Sequence, residues 1–263
     1  MITVIAIYLC LGAVAGILAG LLGVGGGLII VPVLLWVFSH LGFDAQTIMQ
    51  ISVATSLATI LLTSAVSTYA HHRHGAVEWR IVWQLTPGIL IGAAIGAIIA
   101  DYLPGDILKT IFAVFEIMVA IQMIRPHQPQ AANALPGRMI LHSAGLVTGS
   151  VSAILGIGGG TLTVPFLLWC QRSIRQAVAS SAACGFPIAL SGAIFYMLLG
   201  LDEPNLPEAT MGYIYWPALV AVSISSVIFA PLGAKWAHTL PVQTLKKIFA
   251  LLLVFIGMRM LLF

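Results

Sequence analysis

Two glycine runs, GVGGG at 23–27 and GIGGG at 156–160, are the residues of this chain whose type and spacing best suit them to hold a ligand. Helix interior is a poor home for them, because each glycine costs up to about 1 kcal/mol relative to alanine. A proline follows each run, Pro32 or Pro165. Proline is tolerated in a helix's first turn, where its missing N–H would be unpaired anyway. The pattern therefore predicts a break in the chain and then a new helix start. Such a start presents unpaired amides and positive partial charge, which together attract anions, and glycine lets the backbone approach a ligand closely.

Hydroxyls stand near both breaks. Thr55 and Ser56, with Ser180 and Ser181, lie at matched places in the two halves, and Thr161 and Thr163 sit just past the second run. Hydroxyls and amides can bind an oxyanion without burying a cation. The same hydroxyls serve equally well to bond one membrane helix to another, and the sequence leaves both roles open. Glu116 is a carboxyl inside an apolar segment, where a charge costs at least about 2.5–3.5 kcal/mol. A proton-coupling role, a pairing with Arg259 and a place near the interface all remain open for it. The HHRH run at 71–74 has only Glu78 near it as a further ligand, so no metal site is expected and no cofactor. Cys10, Cys170 and Cys184 lack disulfide spacing and read as small apolar residues. Gly12, Gly16, Gly88, Gly92 and Gly96 read as helix-packing positions.

The elements that carry these residues follow from composition. The 263 residues are 60% hydrophobic and 7% charged, where a soluble domain carries about 25% charge, and the mean hydropathy is +1.07. A chain this poor in charge needs lipid as its solvent. A net charge of +3 without a long basic run gives no nucleic-acid footprint. Apolar stretches at 2–22, 28–39, 48–69, 81–100, 107–124, 139–155, 161–170, 177–200, 213–236 and 245–263 predict ten helical elements. Most have the roughly 17–25 residues that a membrane span needs; the second and seventh do not.

Lys and Arg set the orientation. Arg73 with Arg80, Arg125 with Arg138, Arg172 with Arg175, and Lys235 with Lys246 and Lys247 fall in alternate loops. Asp44, Asp101, Asp106, Asp202, Glu203 and Glu208 fill the others, with Lys109 the one dissenter. A cytoplasmic place for the basic loops puts both chain ends in the periplasm of an inner-membrane protein. Trp79, Trp83, Tyr213, Trp216 and Trp236 flank the segments as an aromatic belt does.

An internal repeat organises the whole. Residues 20–36 and 153–169 share ten of seventeen positions at an offset of 133, and 103–124 matches 240–261 at an offset of 137. VATS at 53–56 faces VASS at 178–181. Five elements per half give the halves opposite orientation, an architecture of secondary transporters with midplane substrate sites. The predicted fold is an all-α polytopic membrane protein with two inverted repeats, 1–125 and 139–263, each a glycine-broken hairpin and three membrane helices. A cytoplasmic linker at 126–138 joins them.

The paired GVGGG and GIGGG segments, each followed by VP, the ATSL and ASSA helix openings and the PLGAKWAHTLPVQTLKKIFALLLVFIGMRML ending resemble the sulfite exporter TauE/SafE family along essentially the whole chain. The resemblance implies a carrier of sulfite, sulfonates or related small sulfur-containing anions, coupled to an ion gradient. It implies that Gly25, Gly26, Gly27, Gly158, Gly159, Gly160, Thr55, Ser56, Ser180 and Ser181 line the substrate. ASSA at 179–182 departs from the Thr-Ser pair common there. The partners expected are that anion and the lipid bilayer; a homodimer is compatible with the sequence. A passive anion channel is the alternative, and a metal-ion carrier a weaker one, since the breaks carry Gly, Ser and Thr. An enzyme is not expected, for no HExxH, GxSxG or paired-aspartate motif occurs.

Overall fold

The structure is a computed structural model that describes residues 2–23, 25–124, 136–236 and 242–262. Ten α-helices stand among these residues: α1 (Ile2–Leu22), α2 (Gly27–His40), α3 (Ile48–Arg73), α4 (Trp79–Tyr102), α5 (Gly105–Ile124), α6 (Arg138–Leu155), α7 (Gly160–Trp169), α8 (Ile174–Leu199), α9 (Trp216–Trp236) and α10 (Val242–Leu262). Six of them, α1, α3, α4, α6, α8 and α9, are long and apolar enough to cross a membrane. The chain is an all-α polytopic membrane protein. The expected linker lies outside the described residues except for Pro136, Gly137 and Arg138, and Arg138 already opens α6.

Helices α3 and α8 form the centre. Of the most apolar window of α3, 83% is buried, against 39–61% for the other five long helices. The two run antiparallel: Gly185 of α8 faces Ser64 of α3, and Gly192 faces Leu57. Around them, glycine faces bring two helix pairs into backbone contact. Gly12, Gly16 and Gly20 of α1 meet Val222, Ser226 and Ala230 of α9 in the same order, so that pair is parallel. Gly88, Gly92 and Gly96 of α4 meet His142, Leu146 and Ser150 of α6, also in parallel. Small residues allow this approach where no hydrophobic force draws helices together in lipid. A Cβ on Gly92 would lie 2.8 Å from the Leu146 carbonyl carbon. Gly92→Val therefore lowers stability in detergent by about 1–3 kcal/mol, read as a lower Tm, whereas the same change at exposed Gly137, with open space around it and φ of −59°, meets no such contact.

Of the boundaries that differ from the sequence reading, three have a visible local cause or consequence. The ninth element begins at Trp216 rather than Tyr213, because Thr210–Met211 and Ile214–Tyr215 pair as a small hairpin, β1 and β2. Gly212, at φ 54, makes its turn, and Pro217 then sits in the first turn of α9, where proline is tolerated. The eighth element begins three residues early, at Ile174, because Ser173 and Gln176 form a capping box; that Ser-x-x-Gln signal is present in the sequence. Helix α3 runs on to Arg73, so the histidine run is largely helical rather than a turn.

Candidate functional site

The breaks occur where the glycines are. Gly23, Gly25 and Gly26 have φ of 68°, 78° and 81°, and Gly156 has 66°, backbone that a side chain rarely adopts. Gly26 caps α2 in the left-handed region, and Gly159 precedes α7. A Cβ on Gly26 would lie 2.9 Å from the Ala15 carbonyl. Ala15 lies seven residues before Leu22, the end of α1, or about 10 Å back along that helix. Helix α2 thus starts well inside the bundle, beside the body of α1.

The two breaks touch each other. A Cβ on Gly25 would come within 2.8 Å of Gly158 Cα, and one on Gly27 within 2.7 Å of Ile157 Cα. Two short helices therefore begin at one backbone crossing. The amides of Ile29 and Ile30 return to the Gly26 carbonyl at 3.0 and 3.1 Å, and that of Thr163 to Gly159 at 2.8 Å. The amides before these belong to first turns, which leave them without intrahelical partners.

The predicted hydroxyls divide into two groups. The matched four are engaged with backbone. Ser56 donates to the Gly156 carbonyl at 2.7 Å. Ser181 donates to Val178 at 2.8 Å, with a longer 3.5 Å contact to the Gly23 carbonyl. Thr55 accepts the Tyr215 amide and Ser180 the Glu78 amide, both at 3.0 Å. These four hold the crossing and its flanking turns in place. Thr161 and Thr163 differ: both are buried, and their hydroxyls meet no hydrogen-bond partner among the described residues. Thr163 Oγ1 lies 3.2 Å from where a Gly159 Cβ would stand.

A narrow crevice lies against the first break, lined by Ala19, Gly23, Gly25, Ser64, Ser67, Ala182 and Gly185. Its walls stand too close together for a water molecule to enter. The Ser67 hydroxyl is buried without a partner among the described residues. Sequence reasoning missed Ser64, Ser67 and Gly185. A signal was available: Ser52, Ser56, Thr59, Thr63 and Ser67 recur every three or four residues, which puts them on one face of α3, and all are buried.

Glu116, on α5, is fully buried, neither of its oxygens meets a partner among the described residues, and it does not line the crevice. Arg259, on α10, is exposed, and no ion pair joins the two. His71 is buried, with Nε2 3.0 Å from the Gly20 carbonyl, and no group of three metal-ligating side chains occurs among the described residues. At the two ends of the bundle, Arg172 pairs with Glu78 at 3.4 Å, and the Tyr213 hydroxyl donates to Asp101 at 2.8 Å. Burial, then the Asp101 carboxylate it bonds, pushes the Tyr213 phenol well above its usual range, so it stays a donor.

The profile of the family described as "Sulfite exporter TauE/SafE" matches residues 8–260. A "Probable membrane transporter protein" of Haemophilus influenzae is 37% identical over 99% of both chains. The "Probable membrane transporter protein YunE" of Bacillus subtilis is 24% identical over 97% of this chain and 96% of its own. Another "Probable membrane transporter protein", of Methanocaldococcus jannaschii, is 26% identical over 97% of this chain and 95% of its own. No solved structure matches. With a hairpin broken at each glycine run and a family profile spanning nearly all of its length, the chain belongs to the sulfite exporter TauE/SafE family of membrane proteins.

Proposed function

We propose that this protein is a secondary transporter that carries sulfite, a sulfonate or a related small sulfur-containing anion across the cytoplasmic membrane, coupled to an ion gradient. The observation that carries this reading is the contact between the two glycine breaks. Two helix starts, whose first-turn amides lack intrahelical partners, begin at that crossing, which favours a negative guest over a cation. Thr161, Thr163 and Ser67 add buried hydroxyls without partners. The family's name supports the sulfur anion.

In this proposal the halves are inverted repeats with their basic loops in the cytoplasm and both termini in the periplasm. The crossed packing of α1 with α9 and of α4 with α6, parallel in both cases, supports it, since inversion maps one pair onto the other. The narrow crevice is then an occluded state of a carrier, which opens to either side in turn. Glu116, buried without a partner, is the proposed proton carrier, because an unpaired carboxylate is far costlier to bury than its acid.

Proteoliposome flux tests the reading. Sulfite, thiosulfate or methanesulfonate uptake is expected to saturate and to show counterflow, with a dependence on the pH gradient. Conductance without counterflow would identify the passive channel instead, and no flux of any of the three would remove the anion assignment.

A further inference from the structure

A hydroxyl dipeptide occupies the same place in each half, and each copy makes the same two contacts, although Ser181 donates chiefly to Val178. The second residue reaches a carbonyl of the opposite break, Ser56 to Gly156 at 2.7 Å and Ser181 to Gly23 at 3.5 Å. The first holds an amide of the turn beyond the other central helix. Thr55 takes that of Tyr215, beyond α8, and Ser180 takes that of Glu78, beyond α3. Glu78 and Tyr215 are themselves 137 positions apart, the same offset that relates Leu103 to Leu240. Each dipeptide therefore ties a break to a turn at one end of the bundle.

What closes over each turn differs. Tyr215 packs edge-on against Phe38 and Phe43, both at 5.3 Å between ring centroids. Glu78 instead meets Arg172, in the turn between α7 and α8, with NH1 at 3.4 and 3.5 Å from its two carboxylate oxygens. Those distances are long for a charge-assisted hydrogen bond, which sits near 2.7–2.9 Å. The Arg172 Nε–H is buried and meets no acceptor among the described residues. A guanidinium is a planar fork that two oxygens of one anion satisfy together, and Glu78 leaves half of that fork empty.

We propose that Arg172 is a receiving site for a small oxyanion at one mouth of the transporter. The anion displaces Glu78 from the fork, the Ser180-held turn comes free, and that mouth opens while the aromatic latch keeps the other shut. This rests on the reading that an anion passes through the glycine crossing. It adds where the anion first binds and how binding starts the cycle.

Cys170 supplies the readout. It is buried, two residues before Arg172; burial pushes its thiol up, and the nearby guanidinium offsets part of that rise. The rate at which a membrane-impermeant maleimide modifies Cys170 is measured on the intact purified protein, with the labelled peptide identified by mass. Sodium sulfate is expected to raise the rate at least about threefold over sodium chloride of equal ionic strength, as a population shift towards the open mouth does. Glu78→Gln is expected to raise it similarly without sulfate, and sulfate then adds nothing. Equal rates for the wild-type protein in sulfate and chloride overturn the proposal, with no variant needed. Sulfate-insensitive labelling beside normal sulfur-anion flux rejects the gate alone; sulfate-driven labelling without such flux rejects the transport reading alone.

Discussion

Gly185→Ala is expected to leave the protein folded and to cut anion flux about fivefold or more. Gly185 sits in α8 with helical backbone, so alanine there gains up to about 1 kcal/mol of helix propensity. The added methyl would lie 3.3 Å from Ser64 Cβ, tight but tolerable if Ser64 gives slightly. The room it takes belongs to the crevice that Gly185 shares with Ser64, Ser67, Gly23 and Gly25. Overpacking a well-fitted cavity costs about 1–3 kcal/mol, and if an anion must displace that methyl, flux falls by the matching factor of about 5–150. The readout is initial uptake in proteoliposomes at matched protein content, with thermal unfolding in detergent as the control. Wild-type flux in a folded Gly185→Ala protein would remove the crevice from the transport path. Substitutions at Gly26 are less informative: its φ of 81° and the Ala15 carbonyl 2.9 Å from the would-be Cβ make any side chain there a test of folding first.

The second large effect is expected at Glu116. A gradient of one pH unit stores about 1.4 kcal/mol per proton, enough for about a tenfold accumulation of an anion that moves with one proton. Glutamine keeps the shape of Glu116 but carries no exchangeable charge. Glu116→Gln should therefore bring gradient-driven accumulation down to the equilibrium ratio while counterflow of labelled against unlabelled anion continues. Glu116→Asp, which keeps the acid, should retain part of the drive. Undiminished accumulation in Glu116→Gln would take the residue out of coupling. The reverse pattern, in which counterflow and accumulation fall together, would point to α5 packing, since the side chain is fully buried.

These two residues illustrate different kinds of legibility. Glu116 was visible at once, because a carboxyl in an apolar segment stands out against its neighbours. Its lack of a partner was not visible, because Arg259, on the other helix of the α5–α10 pair, was an open alternative. That alternative closes only when Arg259 is seen exposed and Glu116 buried. Gly185 was invisible. A single glycine in a long apolar helix has no local signature that separates a crevice wall from a packing face, and packing was the right reading for Gly88, Gly92 and Gly96.

Local chemistry reached the membrane class, the two breaks and the duplication. The duplication needs only the comparison of one half with the other; the first two depend on residues close in sequence: charge scarcity over whole segments, the helix cost of clustered glycine, the tolerance for proline in a first turn. Those properties act wherever the segment lies, so Gly23–Gly27 and Gly156–Gly160 interrupt their helices without help from the rest of the fold. Assembly settled the partners. Thr55 and Ser180 look alike in sequence as ligand hydroxyls, yet each is filled by an amide 160 or 102 residues away. The contact of Gly25 with Gly158 likewise depends on which glycine face of α1 meets α9 and which face of α4 meets α6. Helical periodicity says that a face exists, but close packing of whole helices chooses what it meets, because a polar group's role is set by its neighbours in space.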